Sequence, residues 1–118
     1  MSMPIPWGRG VSSKNRYLKH VLQWLIAGSR GGENRARIIV AVRTEPMNAN
    51  QLCDVMGVDY RTIRHHLDIL EKNGLVTSLG KRYGKMYFVS AELDESYGDF
   101  EEILKRIGTT DNSDGVGM

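Results

Sequence analysis

Apolar residues recur every third or fourth position through most of the chain, and that pattern breaks once, after Gly74. Residues 1–12 hold two of the three prolines together with Gly8, Gly10 and Ser12, and they predict a flexible arm. From Ser13, a suitable N-cap, the spacing of Leu18, Val21, Leu22, Leu25 and Ile26 predicts a first helix, which Gly28, Gly31 and Gly32 end. Ile38, Ile39 and Val42 mark the inner face of a second helix, stopped by Pro46. Asn48 opens a short third helix that carries Leu52, Cys53, Val55 and Met56 and closes at Gly57. Asp59 caps a fourth helix, with Gly74 as its left-handed stop. Beyond Gly74, "LVTSL" and "KMYFVS" are rich in β-branched, apolar and aromatic residues and flank "GKRYG", which predicts a β-hairpin. "DESYGDFEEILKRIG" returns to helical spacing through Tyr97, Phe100, Leu104 and Ile107. Residues 109–118 have no periodicity and predict a disordered tail, leaving one domain over 13–108.

The third and fourth helices obey the local rules of a helix-turn-helix. Cys53 supplies a small residue where the helices cross, Gly57 allows the turn, and Leu52, Met56, Val58, Ile63 and Leu67 pin the pair together. At about 100° per residue, Ile63, Leu67 and Leu70 of the fourth helix share one side. Arg61, His65, Asp68 and Lys72 take the opposite side, flanked by Thr62 and Arg64. Polar donors thus concentrate in the first two turns, the part of such a helix that reaches base edges in a major groove. Arginine donates two hydrogen bonds to a guanine edge, and Tyr60 and Thr62 suit phosphate or thymine-methyl contacts. The hairpin tip adds Lys81 and Arg82, with Lys85 on the returning strand, which suits phosphates or a minor groove.

Charge sharpens this picture. The 118 residues carry a net charge of only +2. Residues 1–47 nevertheless hold eight Lys and Arg against two Asp and Glu, whereas residues 91–118 hold two against eight. The first two-thirds attract a polyanion and the acidic end is kept away from it. "VLQWLIAG" and "IIVAV" are too short to cross a bilayer, and "MSMPIPWGRGV" has no apolar signal core. The single cysteine, Cys53, cannot form an internal disulfide and fits a reducing cytoplasm.

Other chemistry finds little support. His65 and His66 are about 100° apart on a helix and do not share a face, so no metal site is expected; His66 is expected to border the core, half-buried. No nucleophile motif, phosphate loop or dinucleotide fingerprint occurs, and Glu101 and Glu102 lie on an ordinary amphipathic helix, so neither catalysis nor a cofactor is expected. A buried Cys53 thiol would be inert.

"NANQLCDVMGVDYRTIRHHLDILEKNGLV" followed by "YGKMYFVS" resembles the winged helix-turn-helix of ArsR-like transcriptional regulators, and "GSRGGENRARIIVAV" is similar to the opening helix of archaeal members. The resemblance covers roughly residues 28–90. It implies a mainly α fold with a small β-hairpin wing and additional N- and C-terminal helices. It also implies a homodimer on double-stranded DNA, reading with a recognition helix at about 59–73 and a wing at about 75–90. Tyr60, Arg61, Thr62, Arg64 and His65 carry over as recognition-helix positions, and Lys81, Arg82 and Lys85 as wing positions. The chain departs from the metal-sensing members, because "QLCDVMG" has one cysteine and "SYGDFEEILKRIG" has no histidine. The resemblance leaves the effector open: one could bind in the dimer interface, or there is none. Since a winged domain has little core to cover two extra helices, the stripes Leu18, Val21, Leu25 and Phe100, Leu104, Ile107 are expected to pair across a two-fold axis. The alternative is a protein-interaction module, because winged helices also act as rigid connectors.

Overall fold

The structure is a computed structural model and describes residues 16–116. The expected arm at 1–12 and the Ser13 cap lie outside the described residues. Helix α1 covers residues 16–27 and finishes in π geometry over Gln23–Ala27. Then come α2 (Gly32–Thr44), α3 (Ala49–Met56), α4 (Tyr60–Lys72), β1 (Val76–Leu79), β2 (Met86–Val89), a short α5 (Ala91–Glu95) and α6 (Tyr97–Val116).

Local chemistry sets the boundaries of the central helices. Asn48 and Gln51 form a capping box, Gln51 N donating to Asn48 Oδ1 at 2.8 Å and Asn48 N donating to Gln51 Oε1 at 2.9 Å. Gly57, with φ of +69°, ends α3 in the left-handed region and opens the turn into α4. Leu52, Ile63, Leu67 and Leu70 are completely buried where α3 and α4 cross. The small residue sealed at this junction is Ala49; Cys53 stays half-buried, which corrects the sequence expectation.

The hairpin pairs antiparallel with Val76 opposite Val89 and Leu79 opposite Met86. A feature the apolar pattern does not announce is the bridge between Met47 and Tyr87. Tyr87 N donates to the Met47 carbonyl at 2.8 Å, tying the α2–α3 connection to the wing.

The flanking helices depart most from expectation. The final helical stretch divides at buried Ser96, and Ser90 caps α5 by accepting from Leu93 N at 3.0 Å. Gly108 does not stop α6, which continues to Val116; glycine in a helix interior costs only about 1 kcal/mol. Leu18, Val21, Leu25 and Phe100, expected on a pairing face, are 6%, 8%, 5% and 0% exposed within the single chain. They are core residues because α1 and α6 pack on each other, with Ile103 and Leu93 completing that layer. Of the expected stripe, only Leu104 and Ile107 stay half-buried; with Ala36, Val40, Val55 and Met56 they line an apolar groove of about 480 Å³ between α2, α3 and α6.

Phe100→Ala is expected to cost about 3–5 kcal/mol in urea unfolding, as for a sealed aromatic. Asn48→Ala, which removes the capping box, is expected to cost about 1 kcal/mol.

Candidate nucleic-acid interface

Helix α4 divides cleanly by burial. Ile63, Leu67 and Leu70 face the core at 0% exposure, while Arg61, His65, Asp68 and Lys72 are exposed on the other side. The helix begins where Asp59 accepts from Thr62 N at 3.2 Å and from the Thr62 hydroxyl at 2.7 Å. The Thr62 hydroxyl and amide hold the Asp59 carboxyl below its ordinary value. The Thr62 hydroxyl proton is therefore committed to the cap.

Arg64 is folded back more than a helical wheel suggests. Its side chain is 35% exposed, with Nη2 3.6 Å from Asp68, and its Nε is buried without a hydrogen-bond partner. Tyr60 first, then Tyr87 and Asp68, favour its cationic form. The aromatic bodies of half-buried Tyr60 and buried Tyr87 thus flank the junction between α4 and the wing. Ser78 reinforces that junction by donating to Glu71 Oε2 at 2.7 Å.

Lys81 and Arg82 stand exposed at the wing tip, and Lys85 is half-buried with its ammonium 6.0 Å from the Tyr87 ring centroid. Arg82 has φ of +48°, the one positive φ among the described non-glycine residues. The left-handed region costs a side-chain-bearing residue about 1 kcal/mol.

Behind α4 lies a buried polar cluster that apolar periodicity does not reveal. Arg35 of α2 is 4% exposed and His66 of α4 is 6% exposed. Arg35 Nε donates to the Leu25 carbonyl at 3.0 Å, Nη2 to Ser29 Oγ at 2.6 Å and to the Arg30 carbonyl at 3.2 Å, and Nη1 lies 3.2 Å from His66 Nδ1. A guanidinium only donates, so Nδ1 accepts and the neutral ring keeps its proton on Nε2. Burial, then the Arg35 cation and His65, lower the His66 pKa from its ordinary 6.5. Unfolded chains bind that proton more readily, so stability is full above about pH 6.5 and is lost as pH falls toward the folded value. His66 is thus more buried than expected, and it has an ionic partner. Arg35 was legible in principle, since it shares an α2 face with Ile38, Ile39 and Val42.

Among the described residues, no group of three or more His, Cys, Asp or Glu can hold a metal ion. Burial, with Asp54 and Asp59, raises the Cys53 thiol pKa, which disfavours the reactive thiolate.

Comparison with known proteins places this geometry. Residues 32–78, from α2 through most of β1, match the sequence profile of the arsR family of bacterial regulatory proteins. Reduced HlyU from Vibrio cholerae superposes with a TM-score of 0.58 at 18% identity, over 81% of this chain and 95% of that one. An ArsR-like transcriptional regulator from Rhodococcus sp. RHA1 gives 0.54 at 21% identity, over 92% of each chain. A mutant MarR from E. coli, complexed with operator DNA, gives 0.57 at 17% identity, over 96% of this chain and 81% of that one. A search among curated protein sequences finds no relative. The fold is a winged helix-turn-helix.

Tyr87→Phe removes a buried hydroxyl that has no hydrogen-bond partner. It is expected to leave stability unchanged or raise it by up to about 1 kcal/mol in urea unfolding. Gly31→Ala is expected to destabilise, because φ is +86° and the added Cβ would lie 2.8 Å from His66 Cε1.

Proposed function

Starting from the winged helix-turn-helix fold, we propose that the chain is a sequence-specific, DNA-binding transcriptional regulator acting as a homodimer. Helix α4 enters the major groove, and the wing lies on the backbone or in the minor groove. One observation carries the reading: exposed Arg61 and His65 stand on a helix whose opposite face is sealed into the core, beside a wing that ends in exposed Lys81 and Arg82. A rigid support with cations on its free side is what groove reading needs. The wing tip keeps arginine at a φ that favours glycine, as expected where the side chain has a task.

Roles divide by exposure. Arg61 and His65 reach base edges, while Tyr60 and Arg64, anchored against the wing, set the angle of approach and offer their outer polar atoms to phosphates. Thr62 holds the cap and presents its methyl group. Lys81, Arg82 and Lys85 neutralise phosphates. Dimerisation uses the outer surfaces of the flanking helices. Exposed Tyr17 and Trp24 on α1, and half-buried Leu104 and Ile107 on α6, support this better than the sealed residues assigned from sequence.

The test is titration against random-sequence duplexes at two salt concentrations, with selection of bound sequences. The expected result is a steep loss of affinity with salt and an enriched inverted repeat. Arg61→Ala is expected to lose about ten- to hundredfold discrimination at one base position. Lys81→Ala is expected to weaken all sequences alike and to reduce the salt slope by about one. Absence of binding at low salt would contradict the proposal and favour a protein-interaction module.

A further inference from the structure

The Arg35–His66 pair has no role in contacting DNA, yet it joins the reading helix to the rest of the molecule. Arg35 gathers two carbonyls from the end of α1 and the following corner, the Ser29 hydroxyl from that corner and the His66 ring from α4. One guanidinium thereby fixes α1, the α1–α2 corner, α2 and α4 relative to one another. The corner itself is shaped to receive it. Helix α1 ends in a π turn, Gly31 takes φ of +86°, and a Cβ at Gly32 would collide with the Ile26 carbonyl. His66 packs so closely on Gly31 that a Cβ there would lie 2.8 Å from its ring.

We propose that Arg35 and His66 form a proton-operated latch, in which protonation of His66 frees α4 from the α1–α2 corner and weakens DNA binding. The proposal rests on the DNA-reading role of α4. Its chemistry is simple: a proton on Nδ1 removes the lone pair that accepts from Arg35 and puts a second cation 3.2 Å from the first. Arg35 from α2 and His65 from the same helix are the charged and titratable groups that act on His66, and both oppose a positive ring. The bonds that remain to Arg35 come from the end of α1 and from the corner, so these keep the guanidinium and α4 loses its tie. His66 follows the exposed His65 directly and lies five residues from Arg61, so movement of this turn displaces the reading face.

The experiment compares full-length wild type with His66→Asn and His66→Gln, whose amide oxygens can accept from Arg35 and do not titrate. DNA affinity is measured for each from about pH 8 to about pH 5, a window spanning histidine titration. In parallel, the histidine ring resonances and the amide exchange of α4 are followed by NMR in the free proteins. Protonation of the other histidines affects all three proteins, so the ratio of wild-type to variant affinity isolates His66. The expected result is a ratio that falls on acidification, approaching tenfold per pH unit, with the midpoint of the His66 ring. Exchange in α4 should accelerate over the same range in wild type alone. A ratio that stays constant while the His66 ring titrates would overturn the latch. Should one variant fail to fold, the other and the wild-type NMR titration still decide. If no protein binds DNA at any pH, the proposed function fails; acid-accelerated exchange confined to wild type would then still support the latch, and its absence would overturn that too.

Discussion

A buried guanidinium with no carboxylate partner among the described residues is the constraint around which this small fold is arranged. Arg35 has left water, and a buried charge is costly unless its donors are satisfied. The chain satisfies them with the negative end of a helix, since the Leu25 carbonyl lies at the end of α1 and the Arg30 carbonyl just beyond it. The corner that supplies them has a π turn, a left-handed glycine and a glycine with no room for a side chain. It also demands a neutral histidine from α4. Breaking such a cluster on one side leaves an uncompensated charge, which is why it acts as a unit.

Around that node the apolar core does the ordinary holding. The sealed stripe of Ile63, Leu67 and Leu70 fixes the roll of α4 and thereby turns Arg61 and His65 outward. The wing is secured twice, by Tyr87 to Met47 through the backbone and by Ser78 to Glu71 through side chains. On the proposed reading, fixed helix and fixed wing present Arg61, Lys81 and Arg82 together to DNA. The proposed reading function thus follows from packing that lies entirely behind it.

Much of this was legible in the sequence. Caps and stops are local, so Asn48, Gly57, Asp59 and Gly74 announced themselves through short-range hydrogen bonding and backbone freedom. The two faces of α4 followed from periodicity alone. What periodicity cannot give is the identity of the surface that an apolar stripe meets. Leu18, Val21, Leu25 and Phe100 suited a partner subunit as well as their own core, and only the docking of α1 on α6 decides between them. The same limit hid the Met47–Tyr87 bridge and the Arg35–His66 contact, whose partners are far apart in sequence. Thr62 and Arg64 were placed correctly on the wheel, but the Thr62 hydroxyl is committed to the Asp59 cap, and Arg64 leans on Asp68 with its Nε buried.

On the proposed reading, the outer face of α4 and the wing tip form one surface for duplex DNA. The most direct test is an amide NMR map of isotope-labelled protein as a selected duplex is added. The largest changes are expected on Asp59–His65 and on Lys81–Lys85, with the groove around Val40, Val55 and Ile107 unaffected. Changes concentrated in that groove, with the outer face of α4 silent, would contradict it.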